Sequence, residues 1–265
     1  MPQFFDTHAH LDSEEFDADR LAFLQRAAEA GVADVLCVGT TAESSRKCLA
    51  IASGAGAPGC RVHAAVGIQP NYCHEVEGGD WDAIVAMATS GQAVALGETG
   101  LDGYWDFCPL DVQRDYFDRH LQLSQQLELP FIVHQRDSMT PILEMLREAR
   151  SRGPLRGVMH SFTGTASEAK ECIELGLHIS FAGMVTFKKS DSLRAVAVGV
   201  PADRLLIETD APYLSPEPLR GKRPNEPARV VHTAACLADA RGEPLERFAE
   251  QTRANAASLF LREAA

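Results

Sequence analysis

Short apolar segments alternate with longer amphipathic segments eight times along this chain, and this alternation constrains the fold more than any other feature. The short segments have the length and near-continuous apolar character of parallel strands that are buried on both faces. The longer segments have the spacing of helices that bury one face. Eight strand–helix repeats in 265 residues predict an α/β protein, a single-domain (β/α)8 TIM barrel. An open doubly wound sheet is the structural alternative.

The predicted strands cover residues 3–8, 33–39, 62–67, 92–97, 130–134, 156–160, 177–181 and 204–208. The predicted helices lie near residues 15–30, 42–54, 80–90, 109–128, 139–151, 165–176, 189–199 and 226–263, and the last should break around Gly242-Glu243-Pro244. No G-x-G-x-x-G follows an early strand, so the dinucleotide-binding form of an open sheet lacks its main support. We therefore expect one barrel domain over residues 1–265.

The composition argues against several classes of protein. A formal net charge of −12 repels nucleic acid, so non-specific coating of duplex DNA is not expected. No segment approaches the roughly 20 apolar residues of a membrane helix, and no basic region followed by an apolar core marks a signal peptide. The seven cysteines form no C-x-x-C pair, which is typical of free thiols in a reducing compartment. We expect a cytoplasmic protein without a membrane partner.

Two histidines lie two residues apart where the first predicted strand ends, His8 and His10. Because alternate side chains of a strand point to the same face, both imidazoles can approach one metal ion. Neutral imidazole is the commonest transition-metal ligand in proteins. A single His-X-His pair is weak evidence, so the metal hypothesis depends on ligands at other strand ends.

Further candidate ligands follow the predicted strands at the end where barrel enzymes carry their chemistry. The six candidates are His8, His10, Glu98, His134, His160 and Asp210. We assign His8, His10 and Asp210 to one divalent ion. His134 and His160 are assigned to a second ion, with Glu98 bridging the two because a carboxylate has two oxygens. Histidine-rich ligation favours zinc, manganese, cobalt or nickel, whereas oxygen ligands favour magnesium, so the metal identity stays open.

Two ions in one site predict hydrolysis. Ions roughly 3.5–4 Å apart can clamp a phosphoryl or carbonyl oxygen and lower the pKa of a bridging water. Asp210 can accept a proton from that water while it remains near the metal. We therefore predict that Asp210 and Glu98 are catalytic residues.

Several sequence blocks resemble the TatD family of metal-dependent hydrolases, which belongs to the amidohydrolase superfamily. The blocks are DTHAHLD (6–12), GETGLD (97–102), HQR (134–136), HSFTG (160–164), ETDAPYLSP (208–216) and RGKRPNEP (220–227). The resemblance implies a barrel fold, two divalent ions and hydrolysis of DNA phosphodiesters, often by 3′ to 5′ exonuclease action on single strands or 3′ ends. By motif, the family's metal ligands correspond to the same six residues. We predict no obligate protein partner.

The chain departs from the family pattern at Gln69, in Gly67-Ile68-Gln69-Pro70, where the family usually has Gly-X-His-Pro. Glutamine can donate a hydrogen bond but cannot carry charge or shuttle a proton, so the departure bears on substrate class and catalytic efficiency. We predict that Gln69, Arg136 and Arg220 bind substrate. The two arginines can each donate two parallel hydrogen bonds to phosphate oxygens. A surface loop is the alternative for Arg220, and a salt bridge to Glu208 or to another acid at the rim of the barrel is the alternative for Arg136.

Two more interpretations concern residues around the predicted site. Glu208 precedes Asp210 by two residues, so we predict that it holds a metal ligand or an arginine in place. Tyr104 and Trp105 either stack on a nucleobase or pack beneath the loops at the mouth of the barrel. Two other functions remain open: an amide, lactone or aminoacyl-ester hydrolase that uses the same site, and a non-catalytic metal-bound interaction module.

Overall fold

A computed structural model describes residues 2–54 and 56–261 and places eight parallel strands in one sheet, in the order of the chain. The strands are β1 (Phe4–Ala9), β2 (Val32–Val38), β3 (Arg61–Val66), β4 (Ala95–Asp102), β5 (Phe131–Arg136), β6 (Gly157–Met159), β7 (Leu177–Phe181) and β8 (Leu205–Ile207). Each strand pairs with its neighbour in sequence, which is the pattern of a (β/α)8 barrel. The predicted fold class is confirmed.

The barrel closes where the first strand meets the segment after the last one. The backbone NH of Asp210 donates to His8 O at 2.9 Å, and the NH of His10 donates to Ala211 O at 2.7 Å. The hydroxyl of Thr7 adds a 3.0 Å hydrogen bond to Ile207 O. These bonds hold the His8–His10 segment directly beside Asp210.

Nine α-helices cover the barrel in the described ranges. They are α1 (Arg20–Glu29), α2 (Ala42–Ser53), α3 (Asp80–Thr89), α4 (Leu110–Leu127), α5 (Met139–Arg152), α6 (Ala166–Glu174), α7 (Asp191–Gly199), α8 (Val230–Arg241) and α9 (Leu245–Phe260). The predicted break in the last helical segment is confirmed. Gly242 ends α8 with a φ of +66°, a left-handed conformation that glycine adopts without strain, and Pro244 precedes α9. No helix in the described part of the chain is both long and apolar enough to span a bilayer.

Strand β4 differs from the prediction. The predicted strand ended at residue 97, whereas the observed strand continues to Asp102 and pairs with β5 as far as Arg136. Glu98 therefore lies within a strand and not after it. The two glycines of the GETGLD block interrupt the apolar pattern, so the sequence hides the second half of β4.

The interior of the barrel is apolar below the site. Phe5, Leu36, Ile132 and Leu206 form one buried cluster with Phe260 from the end of α9. The rings of Phe5 and Phe260 lie 6.2 Å apart between centroids. Helix α9 thus closes the end of the barrel where the strands begin, and the other end is left for polar groups. A second, larger cluster lies between the strands and the surrounding helices.

Candidate metal-dependent active site

The six predicted ligands meet at the end of the barrel where the strands finish. Two groups of three donors have all their ligand atoms within 4.8 Å of one another, and Glu98 belongs to both. One group adds His8 and His10, and the other adds His134 and His160. The structure therefore brings together His8 from β1, His10 directly after it, His134 from β5 and His160 directly after β6, around a carboxylate from β4.

The carboxylate of Glu98 divides its two oxygens between the two pairs of histidines. Its Oε2 lies 3.6 Å from the Nε2 atoms of both His8 and His10. Its Oε1 lies 2.7 Å from Nδ1 of His134 and 3.1 Å from Nε2 of His160. Each oxygen thus faces a different set of imidazoles, which is the placement that a bridging carboxylate requires.

Asp210 lies beside the first pair only. Its Oδ1 is 3.8 Å from Nε2 of His8 and 3.6 Å from Nε2 of His10. Its backbone adopts a φ of +56°, which few non-glycine residues adopt. Backbone bonds from Asp210 N to His8 O, and from Tyr213 N to Asp210 O at 2.8 Å, hold this conformation. Strained backbone of this kind is typical of functional positions.

Close backbone contact between β4 and β5 sets the position of His134. Gly100 has a φ of +127°, and a Cβ at this position would lie 2.2 Å from His134 O. Only glycine fits there, and its presence lets β5 approach until His134 contacts Glu98. The second glycine of the GETGLD block therefore has a direct part in building the site.

A buried carboxylate behind His134, that of Asp102, was not predicted. Its Oδ2 lies 2.9 Å from Nε2 of His134 and accepts a hydrogen bond from Asn71 Nδ2 at 3.0 Å. An acid on the far side of a ligating histidine fixes the orientation of the ring and increases its basicity. The Asp at the end of GETGLD was the available signal, but its alignment with His134 depends on the unpredicted half of β4.

Glu208 lies behind His160. Its Oε1 is 3.4 Å from Nδ1 of His160 and accepts a 2.6 Å hydrogen bond from Ser161 N. Its Oε2 accepts a hydrogen bond from Ser180 Oγ at 2.5 Å. No arginine or lysine of the described residues pairs with Glu208. The structure thus places it beside a candidate ligand and not beside Arg136.

Burial and charge together shift the pKa values of these groups. Burial alone would raise the pKa of Glu98, but the charge of His160 and the hydrogen bonds from His134 and His160 hold it well below its usual value. Burial alone would lower the pKa of His10, but the hydrogen bond to Asp210 and the charge of Glu98 raise it to about 9. The carboxylates are therefore ionised and ready to bind cations.

The donor set fits divalent metal. Within residues 2–54 and 56–261, neither Glu98 nor Asp210 forms an ion pair with a lysine or an arginine, so only histidines pair with the buried carboxylate of Glu98 and the partly buried one of Asp210. The imidazoles that carry protons in the metal-free site, such as His10, can release them and bind a divalent ion together with the two carboxylates. Nitrogen and oxygen donors in this combination suit first-row transition metals.

A cavity of about 1260 Å³ opens above these ligands. Two of the predicted substrate-binding residues, Gln69 and Arg136, line it. The side-chain oxygen of Gln69 accepts a hydrogen bond from Asn71 N at 2.8 Å, so the amide nitrogen is its remaining donor. The structure does not bring Arg220 to this cavity, because its guanidinium lies 4.1 Å from the ring centroid of Phe187. Arg223 from the same loop lines the cavity instead.

The barrel, its polar end and the two histidine groups that share one carboxylate define a class of protein, the metal-dependent hydrolases of barrel fold. Comparison with known proteins narrows the class. Residues 5–261 match the family described as "TatD related DNase". The chain therefore belongs to the TatD family, and it is a TatD-type metal-dependent hydrolase that acts on ester bonds.

Three relatives illustrate the range of the family. An "uncharacterized metal-dependent hydrolase YabD" from Bacillus subtilis is 36% identical over 256 residues, covering 97% of this chain and 98% of that protein. A "3'-5' ssDNA/RNA exonuclease TatD" from Klebsiella pneumoniae is 36% identical over 265 residues, covering 97% of each. The crystal structure of YJJV, a TatD homolog from Escherichia coli, superimposes with a TM-score of 0.89 at 30% identity and covers 98% of both chains.

Proposed function

We propose that this protein hydrolyses phosphodiester bonds of single-stranded nucleic acid with two divalent ions, starting from the 3′ end of the strand. The observation that carries the proposal is the division of the Glu98 oxygens between two histidine pairs. Several relatives are named 3'-5' ssDNA/RNA exonucleases, which supports the choice of substrate and of direction.

Each candidate ligand then has a role. His8, His10 and Asp210 would hold one ion, His134 and His160 would hold the other, and Glu98 would offer one oxygen to each. Divalent ions held there would supply Lewis-acid activation of a phosphoryl oxygen and of a water molecule. Asp102 and Glu208 orient His134 and His160 from behind, as the 2.9 Å and 3.4 Å distances support.

The protein's own groups move the proton and hold the phosphate. Asp210 is ionised, because hydrogen bonding to His10 and the neighbouring histidine charges outweigh the effect of burial and lower its pKa. It can therefore accept the proton of the attacking water. Arg136 and the amide nitrogen of Gln69 face the cavity and donate hydrogen bonds to phosphate oxygens, with Gln69 contributing no charge.

The test is reconstitution of metal-free protein with magnesium, manganese, zinc, cobalt or nickel in turn. Each form is offered end-labelled single-stranded DNA, duplex DNA, RNA, a lactone and an aminoacyl ester. We expect stepwise shortening of the single strands from the 3′ end with at least one metal, and slower digestion of the duplex. Rapid turnover of the ester or the lactone, without cleavage of any nucleic acid, would overturn the proposal.

A single variant connects this activity to the phosphate. Arg136→Ala should raise the KM for a single-stranded oligonucleotide about tenfold, since a charged hydrogen bond to phosphate is lost. Arg147→Ala on α5, whose guanidinium pairs with Glu171 on the outside of the barrel, is the matched control. Equal KM values for the two variants would exclude Arg136 from substrate binding.

A further inference from the structure

The loop between β4 and α4 carries two aromatic side chains that lie exposed at the rim of the cavity. Trp105 is 43% exposed and Phe107 is 56% exposed. Their rings are stacked, with 5.2 Å between centroids and 8° between planes, and both residues line the cavity above the metal ligands. We call this pair the aromatic platform. Such exposure is costly for large apolar rings unless a ligand covers them.

Hydrogen bonds hold the platform at a set position relative to the site. The Oδ1 of Asp102 accepts from the backbone NH of Tyr104 at 2.9 Å and from that of Trp105 at 3.0 Å. The other oxygen of the same carboxylate contacts His134. The guanidinium of Arg136 lies 3.8 Å from the centroid of Tyr104 and 5.3 Å from that of Trp105. One carboxylate thus links the platform loop to a candidate metal ligand.

The charges around the cavity cannot supply much affinity for a polyanion. Arg136 and Arg223 are the only arginines or lysines that line it among the described residues, and Asp12, Glu75 and Asp106 also lie in its wall. The chain as a whole has a formal charge of −12. A substrate with several phosphates therefore needs a second source of binding free energy. Stacking of a base on an aromatic ring provides one that does not depend on charge.

We propose that the aromatic platform is a base-stacking subsite for one nucleotide of a single-stranded nucleic acid, next to the phosphodiester that is cleaved. The proposal rests on the proposed function. Insertion of a base between two rings needs a gap of about 7 Å, twice the contact distance of carbon atoms. The Trp105 and Phe107 rings already contact each other, so the base stacks on the outside of the pair. Bases within a duplex are stacked on each other, which gives the subsite a preference for single strands.

Binding can be measured without catalysis. The chain has two tryptophans, so Trp81→Phe leaves Trp105 as the only one. In metal-free protein we expect an oligothymidylate to quench Trp105 fluorescence, and an abasic strand of equal length and charge to quench it much less. The slope of log affinity against log salt should be shallow, about −1.4, because about two phosphates are neutralised. Equal quenching by the two strands would overturn the proposal.

Cleavage provides a second measurement. The variant with Trp105→Ala and Phe107→Ala should raise the KM for an oligonucleotide about 5- to 100-fold and change kcat less than threefold. One abasic nucleotide near the 3′ end of the substrate should raise the KM of the wild type by the same factor. It should raise the KM of the double variant little further. Trp105→Phe should restore most of the affinity. Leu21→Ala, which removes another exposed apolar side chain, is the matched control.

The outcomes separate this proposal from the proposed function. Base-dependent quenching without cleavage by any metal form would reject the nuclease activity and support the subsite. An unchanged KM in the double alanine variant, with cleavage intact, would reject the subsite alone. Light scattering tests whether the platform binds a second copy of this chain in place of a base. A wild-type dimer that the double variant loses, with equal KM values, would assign the platform to self-association and overturn the proposal.

Discussion

The two ends of the barrel handle buried charge in opposite ways. At the end where the strands begin, the carboxylate of Asp34 on β2 is only 1% exposed and is surrounded by cations. Arg61 contacts it at 2.8 Å, His63 at 3.0 Å and Arg253 from α9 at 3.2 Å. At the other end, Glu98 is also buried, but among the described residues only histidines pair with it.

This difference separates stability from function within one fold. The Asp34 end meets its electrostatic needs with the chain's own arginines, so charge there contributes to folding. The Glu98 end has histidines in place of arginines, and histidines can give up their protons and bind a divalent cation. Substitutions at the two ends should therefore have opposite signatures, with stability lost at one end and activity lost at the other.

The largest effect should come from Asp210→Asn. The amide cannot accept a proton and binds metal more weakly, so nuclease activity should fall about 10³-fold. The amide keeps the size and shape of the carboxylate, so the melting temperature of the metal-free protein should fall only slightly. Activity assays and thermal unfolding check both expectations. Activity equal to that of the wild type would show that hydrolysis occurs elsewhere or comes from a contaminant.

The double variant His8→Ala/His10→Ala should bind one ion per chain, whereas the wild type should bind two. Both imidazoles approach the same oxygen of Glu98, so their loss should empty one position and leave the His134–His160 position intact. Elemental analysis of dialysed protein measures the ratio, and His232→Ala on α8 is the control. A variant that retains both ions would contradict the assignment of ligands.

The opposite end is probed by Asp34→Ala. The variant leaves Arg253 and Arg61 without their partner, and we expect unfolding to become easier by about 2 kcal/mol, after allowance for the exposure of both arginines. The kcat should stay within twofold of the wild-type value, since Asp34 lies at the opposite end from the ligands. Asp118→Asn, in an exposed ion pair with Arg152, is the control. A large loss of kcat without a loss of stability would refute the separation of the two ends.

The carboxylate of Asp34 should also make the stability of the protein depend on pH. Burial alone would raise the pKa of Asp34, but the hydrogen bond from His63 and the charges of Arg61 and Arg253 lower it. Because the pKa of Asp34 is lower in the folded state than the unfolded value of about 3.9, its ionised carboxylate stabilises the fold above that pH. This stabilisation is lost as the pH falls through the folded-state pKa. Unfolding free energies of wild type and Asp34→Ala should therefore converge below about pH 4. A difference that stays constant down to pH 2 would contradict this.

The smallest effect distinguishes two arginines of one loop. Arg223 lines the cavity, whereas the guanidinium of Arg220 lies over Phe187. Arg223→Ala should raise the KM for a single strand about fivefold, and Arg220→Ala should change it less than twofold. Steady-state kinetics at low salt gives both values. The reverse order would return Arg220 to the substrate-binding role that its sequence position predicts.

Local patterns were sufficient to predict the barrel and the six donors. Strand–helix alternation is a property of neighbouring residues, and the ends of parallel strands meet at one edge whatever the details of packing. His8 and His10 could be assigned to one face because strand periodicity applies over two residues. Glu98 was correctly predicted to lie among the other donors, but it was predicted to follow β4, whereas it lies within β4.

Other residues could not be placed from sequence because their roles depend on distant contacts. Asp102 reaches His134 only because β4 runs to residue 102 in register with β5. The alternatives for Trp105 were packing and stacking, and its exposure, which a sequence does not contain, favours stacking. Phe107 had no periodic pattern to mark it.

The sequence by itself determined the (β/α)8 fold and the kinds of donor at the strand ends, because both follow from short-range periodicity. Only the tertiary structure decided that the two oxygens of Glu98 face different histidine pairs. It also decided that Asp102 joins His134 to the aromatic platform. The same holds for the loop after β8, where Arg223 lines the cavity in place of Arg220. The physical reason is that these arrangements depend on side-chain direction and on close approach between segments far apart in the chain. Such approaches are set by packing, as the contact of Gly100 with His134 illustrates.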